Sequence, residues 1–276
     1  MHITSALFEA YLKCPTKCFL RSQGEQGTDN AYAEWVRMKS DSYRSDGIQR
    51  LREGTPREEC TVRPPSTRKL GAATWRLALD VRVVSQDCES TLDAVERIST
   101  EQRSKSAQFI PIRFVFNNKL TMDDKLLIAF DASVLSAQLG RPVVLGKIIH
   151  GDGHSTHKVK TARLMILARK VTKRIVALLS GKSPPAIRLI RRCGECEFLA
   201  RCRQQAIEKD DLSLLAAMNE KELAKYTSRG IFTVTQLSYT FRPRRRPKRL
   251  RDKREKYHHS LKALAIREGK IHVVGK

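Results

Sequence analysis

Three thiols lie within ten residues in Cys193-Gly-Glu-Cys196-Glu-Phe-Leu-Ala-Arg-Cys202, spaced C-x2-C-x5-C. Gaps this short match the bite of a metal, and thiolates are ligands that zinc and iron–sulfur clusters share. Three ligands leave a tetrahedral site one short. Cys14, in Tyr11-Leu12-Lys13-Cys14-Pro15, is the best candidate for the fourth. A single centre would then tie the two ends of a domain together. The spacing alone does not separate zinc from iron–sulfur. Cys18 is a rival ligand, ranked second and expected in the core. Seven cysteines, an odd number and unevenly placed, point to a reducing cytoplasm and metal ligation rather than disulfides.

The charge of the chain sets its partners. Lys and Arg total 53 against 29 acidic residues, a net charge of +24. Such an excess makes phosphate-rich polymers the default partner, because binding releases their condensed counterions. No apolar run approaches the roughly 20 residues of a membrane span, and no signal peptide opens the chain. A soluble cytoplasmic protein without a membrane partner is expected. At 276 residues, the chain accommodates one sizeable domain and a smaller one.

The elements that must position these groups follow from periodicity and caps. Ile3 to Leu12 reads as a helix capped by Thr4 or Ser5, ending just before Cys14-Pro15. Residues 26 to 70 are polar, with helical potential only around Ala31 to Met38. Leu77, Leu79, Val81 and Val83 alternate with Arg76, Ala78, Asp80 and Arg82, the period-2 pattern of a half-buried strand. Leu92 to Ile98 and Phe109 to Phe116 read as two more strands. Thr121 caps a helix with Asp123 and Asp124 in its first turn and Gly140 at its end. Val143 to Ile149 and Thr156 to Val159 form a strand pair around Gly151-Asp152-Gly153, where His150, His154 and His157 read as exposed residues of a hairpin tip. A basic helix from about Thr161 to Ser180 turns Leu164, Ala168, Val171, Ile175 and Leu178 inward. Helix, three strands, helix, strand pair, helix implies an α/β domain with one mixed sheet.

After Cys202 the character changes. Asn219-Glu-Lys-Glu222 and Thr233-Val-Thr-Gln236 are capping boxes of two short helices joined at Gly230-Ile-Phe. They read either as a helix-hairpin-helix, whose turn offers N–H groups to a phosphate, or as a plain helical hairpin. Residues 242 to 256 carry ten basic and two acidic residues. Arg242, Arg244, Arg245, Arg246, Lys248, Arg249 and Arg251 are the expected phosphate contacts, with Gly230 of the turn. The expected division is 1–207 for the main domain, 208–241 for the helical segment and 242–276 for a basic tail or linker.

Ser5 to Leu20, with Tyr-Leu-x-Cys-Pro, and the distant Cys193/Cys196/Cys202 triplet resemble the iron–sulfur branch of RecB-like nucleases in the PD-(D/E)XK superfamily. That branch includes CRISPR-associated RecB-like exonucleases and the nuclease domains of AddB-type helicases. The chain is most similar to the bacterial type in which this domain precedes an RNase H-like domain, through Leu212-Ser-Leu-Leu, Gly230-Ile-Phe-Thr-Val-Thr-Gln-Leu and Phe241-Arg-Pro-Arg-Arg. The resemblance implies a restriction-endonuclease-like mixed sheet flanked by helices with a small helical C-terminal extension. It also implies a [4Fe–4S] cluster on Cys14, Cys193, Cys196 and Cys202, with zinc as the alternative, and Mg²⁺- or Mn²⁺-dependent hydrolysis of DNA. A nuclease or helicase partner, or a fused RNase H-like domain beyond this chain, belongs to the same expectation.

The catalytic motif is where the residues depart from that pattern. Asp93, in Leu92-Asp-Ala-Val-Glu-Arg97, matches the first acid and would ligate Mg²⁺. The next strand reads Phe109-Ile-Pro-Ile-Arg-Phe-Val115, with Arg113 and Val115 where an acid and a lysine belong. Glu96 and Asp80 are the remaining catalytic candidates, although regular alternation puts Glu96 on the face opposite Asp93. Two functions follow: a Mg²⁺-dependent DNase, or a catalytically degenerate DNA-binding module that serves a partner nuclease. A third is a zinc-stabilised nucleic-acid protein unrelated to nucleases.

Overall fold

The computed structural model describes residues 2–27, 30–64, 74–98, 107–181, 183–215, 218–242 and 259–271. Two compact units emerge, Met1–Gln26 with Glu34–Pro185, and Gly27–Ala33 with Ala186–Lys276. The first therefore closes at Pro185, not near residue 207. The cysteine-rich segment goes with the second because its own bonds run onward: Asp211 N–H donates to Ala206 C=O at 2.9 Å, and Leu189 N–H to Ser213 Oγ at 3.0 Å.

The first unit opens with β1 (Ile3–Thr4), α1 (Ser5–Lys13) and α2 (Pro15–Ser22). Thr4 caps α1 by accepting the Leu7 N–H, and Cys14 is the extended residue between the two helices. Then come α3 (Ala31–Glu53), β2 (Cys60–Val62), β3 (Leu77–Val84), β4 (Cys88–Ile98) and β5 (Gln108–Val115). They are followed by α4 (Met122–Leu139), β6 (Leu145–His150), β7 (Ser155–Lys160) and α5 (Ala162–Ser180). Thr121 and Asp124 form the expected capping box of α4, and Gly140 closes it at φ 66°.

The seven strands form one mixed sheet in the order β2-β3-β4-β5-β6-β7, with β1 beside the start of β4. β3–β4–β5 is an antiparallel meander, and α4 carries the chain over to β6, parallel to β5. This mixed central sheet flanked by helices is the architecture expected from the sequence. On one face α1, α4 and α5 enclose the main core, where Phe8 stacks on Phe130 at 4.4 Å between ring centroids. All five residues of α5 read as inward are in or against that core. On the other face Ile48 and Leu51 of α3 pack on Leu77, Leu79, Ala94, Ile112 and Ile149.

Two readings of the sequence change here. α3 runs through Glu53, well past Met38, because it needs only a few apolar residues: most of its surface is exposed. It lies so close to the sheet that a Cβ on Gly47 would sit 2.3 Å from the Phe114 ring, which explains a helix-weakening residue there. The four alternating apolar residues of β3 do not share a face. Leu77 and Leu79 belong to the α3 side, whereas Val81 and Val83 belong to the main core. Asp80 causes the switch, since its φ of 52° breaks the period-2 alternation. β4 switches at the same level, with Leu92 and Val95 in the main core but Ala94 on the α3 side.

The second unit holds a 3₁₀ turn (Arg191–Glu195), α6 (Leu199–Glu208), α7 (Glu220–Thr227), α8 (Val234–Ser238) and α9 (His259–Glu268). Its core is Leu212, Leu215, Val234, Leu237 and Ala263. Ala263 comes from a stretch read as tail or linker; α9 instead closes the helical cluster, with Arg267 donating to Ser238 Oγ at 2.9 Å. Among the described residues no helix is long and apolar enough to cross a membrane.

Candidate functional site

The switch at Asp80 and Asp93 assembles the carboxylate site. Leu79 pairs with Ala94 and Val81 with Leu92, so the register sets Asp80 directly against Asp93. Ala94 likewise pairs with Ile112, which sets Asp93 against Arg113 on β5. From α3, Arg44 reaches both acids. Its Nη2 donates to Asp80 Oδ1 at 2.6 Å, and its Nε lies 2.6 Å from Asp93 Oδ1. The second contact is a close ion pair whose N–H is not aligned for a hydrogen bond. Phe114 N–H completes the Asp93 shell by donating to Oδ2 at 3.2 Å, and Arg63 approaches Asp80 at 3.6 Å.

Burial pushes the Asp93 carboxyl above its ordinary range, and the opposing pull of Arg113, Arg44 and the Phe114 N–H does not overcome it. Only 8% of this residue is exposed. A divalent ion would need these same oxygens, and a guanidinium already stands between them. Among the described residues, no three His, Cys, Asp or Glu side chains are gathered so that they could hold one metal ion.

Glu96 is placed differently from the regular-strand expectation. After the switch in β4 it emerges on the α3 side, as Asp93 does, lining a cleft with Arg50 and Leu51 of α3. Its carboxylate is paired with Lys147 of β6. Arg113 does not stand as an unbalanced charge beside Asp93. It is held by Asp131 of α4, with Nη2 donating to Oδ1 at 2.9 Å and Nε to Oδ2. Asp131 is fully buried and also accepts the Ser90 hydroxyl at 2.5 Å. Composition and periodicity could not single out Asp131, because α4 is buried on every side from Leu126 to Ala132. A charge within a helical apolar stripe was the one available signal.

His150, His154 and His157 are half-buried rather than exposed. The His154 ring stacks on Tyr43 of α3 at 4.5 Å, and Tyr43 Oη donates to Gly151 C=O at 2.9 Å. Both account for a hairpin tip pinned against α3.

The cysteines divide between the units. Cys14 lies at the α1–α2 junction of the first, its N–H donating to Ala10 C=O at 2.8 Å. Cys18 is fully buried in the main core, where burial pushes its thiol up to about 11; it is the packed residue the sequence suggested. Cys193, Cys196 and Cys202 are half-buried in the second unit. Ile190 N–H donates to Cys193 Sγ at 3.2 Å, and Asn30 Nδ2 donates to the carbonyls of Gly194 and Cys196 at 2.9 and 3.1 Å. The same Asn30 caps α3 through the N–H groups of Tyr32 and Ala33. Cys196 ends the 3₁₀ turn, and Cys202 sits in the first turns of α6. A thiol that accepts a backbone N–H, in an arginine-flanked loop, suits thiolate ligation.

The α7–α8 hairpin has both capping boxes read from the sequence, and Gly230 takes φ 77° in its turn. Its N–H groups are already used. Gly230 donates to Thr227 C=O, Ile231 to Tyr226 C=O, and Phe232 to Gln236 Oε1. Val234 N–H goes to Asp210 C=O and Thr235 N–H to the Asp210 carboxylate. These bonds fit the plain helical hairpin, since they leave no turn amide pointing outward for a phosphate. Arg242 is exposed at the edge of the described residues; Arg244, Arg245, Arg246, Lys248, Arg249 and Arg251 lie outside them.

No family model matches this chain, and neither does any curated protein. Among solved structures it is similar to one described as "Crystal structure of SSO0001". That match has 11% identity and a TM-score of 0.29, and covers 60% of this chain and 97% of the other.

Proposed function

We propose that this chain is a nucleic-acid-binding protein of RecB-like nuclease type whose own two-carboxylate site is closed by an internal cation. The observation that carries this reading is Arg44, paired with both Asp80 and Asp93. Mg²⁺ demands nearly ideal octahedral oxygen geometry and keeps most of its waters, so it competes poorly for oxygens that already face a guanidinium. Arg113 in place of an acidic ligand, and Glu96 committed to Lys147, remove the other anionic oxygens that hydrolysis would need. Binding is supported by the net charge of +24, with the segment from Arg242 to Lys256 as its densest basic run. DNA in the cytoplasm is the expected polymer, and cleavage would come from a partner nuclease or helicase or from an RNase H-like domain.

Cys14, Cys193, Cys196 and Cys202 are the proposed ligands of a [4Fe–4S] cluster. Such a group would serve as a structural staple and take no part in hydrolysis. Protein purified without oxygen should then be brown and carry about four iron atoms per chain, and replacement of any one ligand by Ala should bleach it. Colourless protein with stoichiometric zinc would turn the same ligand set into a zinc site.

A second reading, Mg²⁺- or Mn²⁺-dependent DNA hydrolysis, is favoured by the direct opposition of Asp80 and Asp93 across the β3–β4 ladder. One assay separates the two. Single- and double-stranded DNA is incubated with either metal, and nicking and end degradation are followed beside binding. The expected outcome is salt-sensitive binding without cleavage. Robust cleavage by the wild type that Asp93→Ala abolishes would establish the second reading instead.

A further inference from the structure

Away from the Asp80–Asp93 pair, a cleft of about 220 Å³ opens between α3 and the sheet. Its floor is apolar, with Leu77 and Ile112 almost fully buried. Its walls carry Arg50 of α3, Arg76 just before β3 and Lys147 of β6, against the single carboxylate of Glu96. Among the described residues Glu96 pairs with Lys147. Arg76 approaches Glu59 only at 3.7 Å, with both side chains largely exposed. Arg50 is exposed and forms no ion pair among the described residues. Two guanidinium groups thus border one concavity, Arg50 without a counter-charge among the described residues and Arg76 with only the exposed Glu59. Like charges so arranged are relieved by an anion, and guanidinium forks suit phosphate oxygens in particular. An apolar floor under a cationic wall further suits a ligand that pairs a flat apolar ring with an anionic group.

We infer that this cleft binds a nucleotide unit, its phosphate on Arg50 and Arg76 and its base toward Leu77 and Ile112. This deepens the nucleic-acid-binding reading and rests on it for the source of the ligand, which is either one residue of a strand or a free nucleotide. Lys147 joins the phosphate site to the extent that Glu96 releases it.

The test uses calorimetry on the full chain with four probes: inorganic phosphate, adenosine, adenosine 5′-monophosphate and a short single strand. The monophosphate should bind more tightly than phosphate or adenosine, because only it fills both parts of the cleft. Arg50→Ala combined with Arg76→Ala should weaken it by about tenfold or more, as expected for loss of two charge-assisted contacts. Lys173→Ala combined with Arg174→Ala removes equal charge from the exposed face of α5 and should cost less than about threefold. Glu96→Gln should tighten the monophosphate by freeing Lys147. Equal losses from the two double variants would overturn the cleft and leave a diffuse basic surface, with nucleic-acid binding itself intact. If the monophosphate binds through the cleft but the strand does not bind at all, the cleft stands as a free-nucleotide site and the nucleic-acid reading falls. Arg50 and Arg76 are exposed, so their loss leaves the core untouched; unchanged thermal melting of the double variant would check this.

Discussion

The carboxylate face of the sheet and the cysteine segment both present residue types that hold metals, but they are fixed in different ways. On the sheet and the helix behind it, the acids of the candidate site meet partners remote in sequence: Asp80 meets Arg44 36 residues away, and Asp131 of α4 meets Ser90 41 residues away. Glu96 meets Lys147 across 51 residues. The cysteine segment is fixed through its backbone, as in the Ile190-to-Cys193 bond three residues apart. Asn30 ties the same loop from 164 residues away. An acid's capacity to hold a metal depends on what already neutralises it, and on this sheet a protein cation does so in every case. Residue type alone therefore overstates the metal chemistry of the first region. In the second, the described residues do not gather three thiols around one point, so the proposal of ligation stands on the spacing in the sequence.

The largest effect should come from breaking the buried network of the sheet. Asp131→Ala would leave Arg113 buried without its counter-charge, and a loss of about 3–5 kcal/mol in denaturant unfolding is expected. Replacing Arg113 and Asp131 together by Met and Leu should recover most of that loss. If the single variant cost no more than an exposed pair, the contrast between the regions would collapse.

Arg44→Ala comes next. Removing the internal cation should raise affinity for Mn²⁺ at Asp80 and Asp93 by about tenfold, roughly 1.4 kcal/mol, in a calorimetric titration. The gain should vanish when Asp93→Asn is added. An unchanged titration would mean that the two oxygens cannot converge on an ion even when Arg44 is gone.

In the cysteine region Asn30→Ala should be milder. It removes a helix cap and two bonds to the Gly194 and Cys196 carbonyls, with an expected cost of about 0.5–2 kcal/mol. Faster hydrogen exchange at Cys193 and Cys196 should accompany it, while exchange in the β3–β4 ladder stays constant.

The finest effect is a slope. Because burial raises the Asp93 carboxyl above its ordinary value of 3.8, the folded chain holds that proton more readily than the unfolded one. In the window above 3.8, stability from this group is therefore present at the acid end and lost as pH rises through the folded value. Asp93→Asn should flatten that decline relative to the wild type in urea melts taken at successive pH values. A steeper decline in the variant would mean that Arg44 outweighs burial.

Much of the frame was legible because its causes are short-ranged. Thr121 with Asp124, Asn219 with Glu222 and Thr233 with Gln236 each satisfy helix N–H groups over three residues, so the caps could be read one at a time. The inward stripe of α5 and the strands β3 to β7 followed from periodicity, whereas β1 and β2 did not. What periodicity could not show was the backbone of Asp80, whose positive φ sends Leu79 and Val81 to opposite faces, or the switch in β4 that brings Glu96 round to the side of Asp93. Nor could it show α3, whose few buried residues gain their partner only once Phe114 is in place. The sequence by itself determined where helices start, which stripes turn inward, the basic charge and the spacing of the thiols. Only the tertiary structure decided which cation each acid meets, because that depends on strand neighbours and on burial. In a desolvated setting a charge without its partner is too costly to persist, so those pairings set what the site can bind.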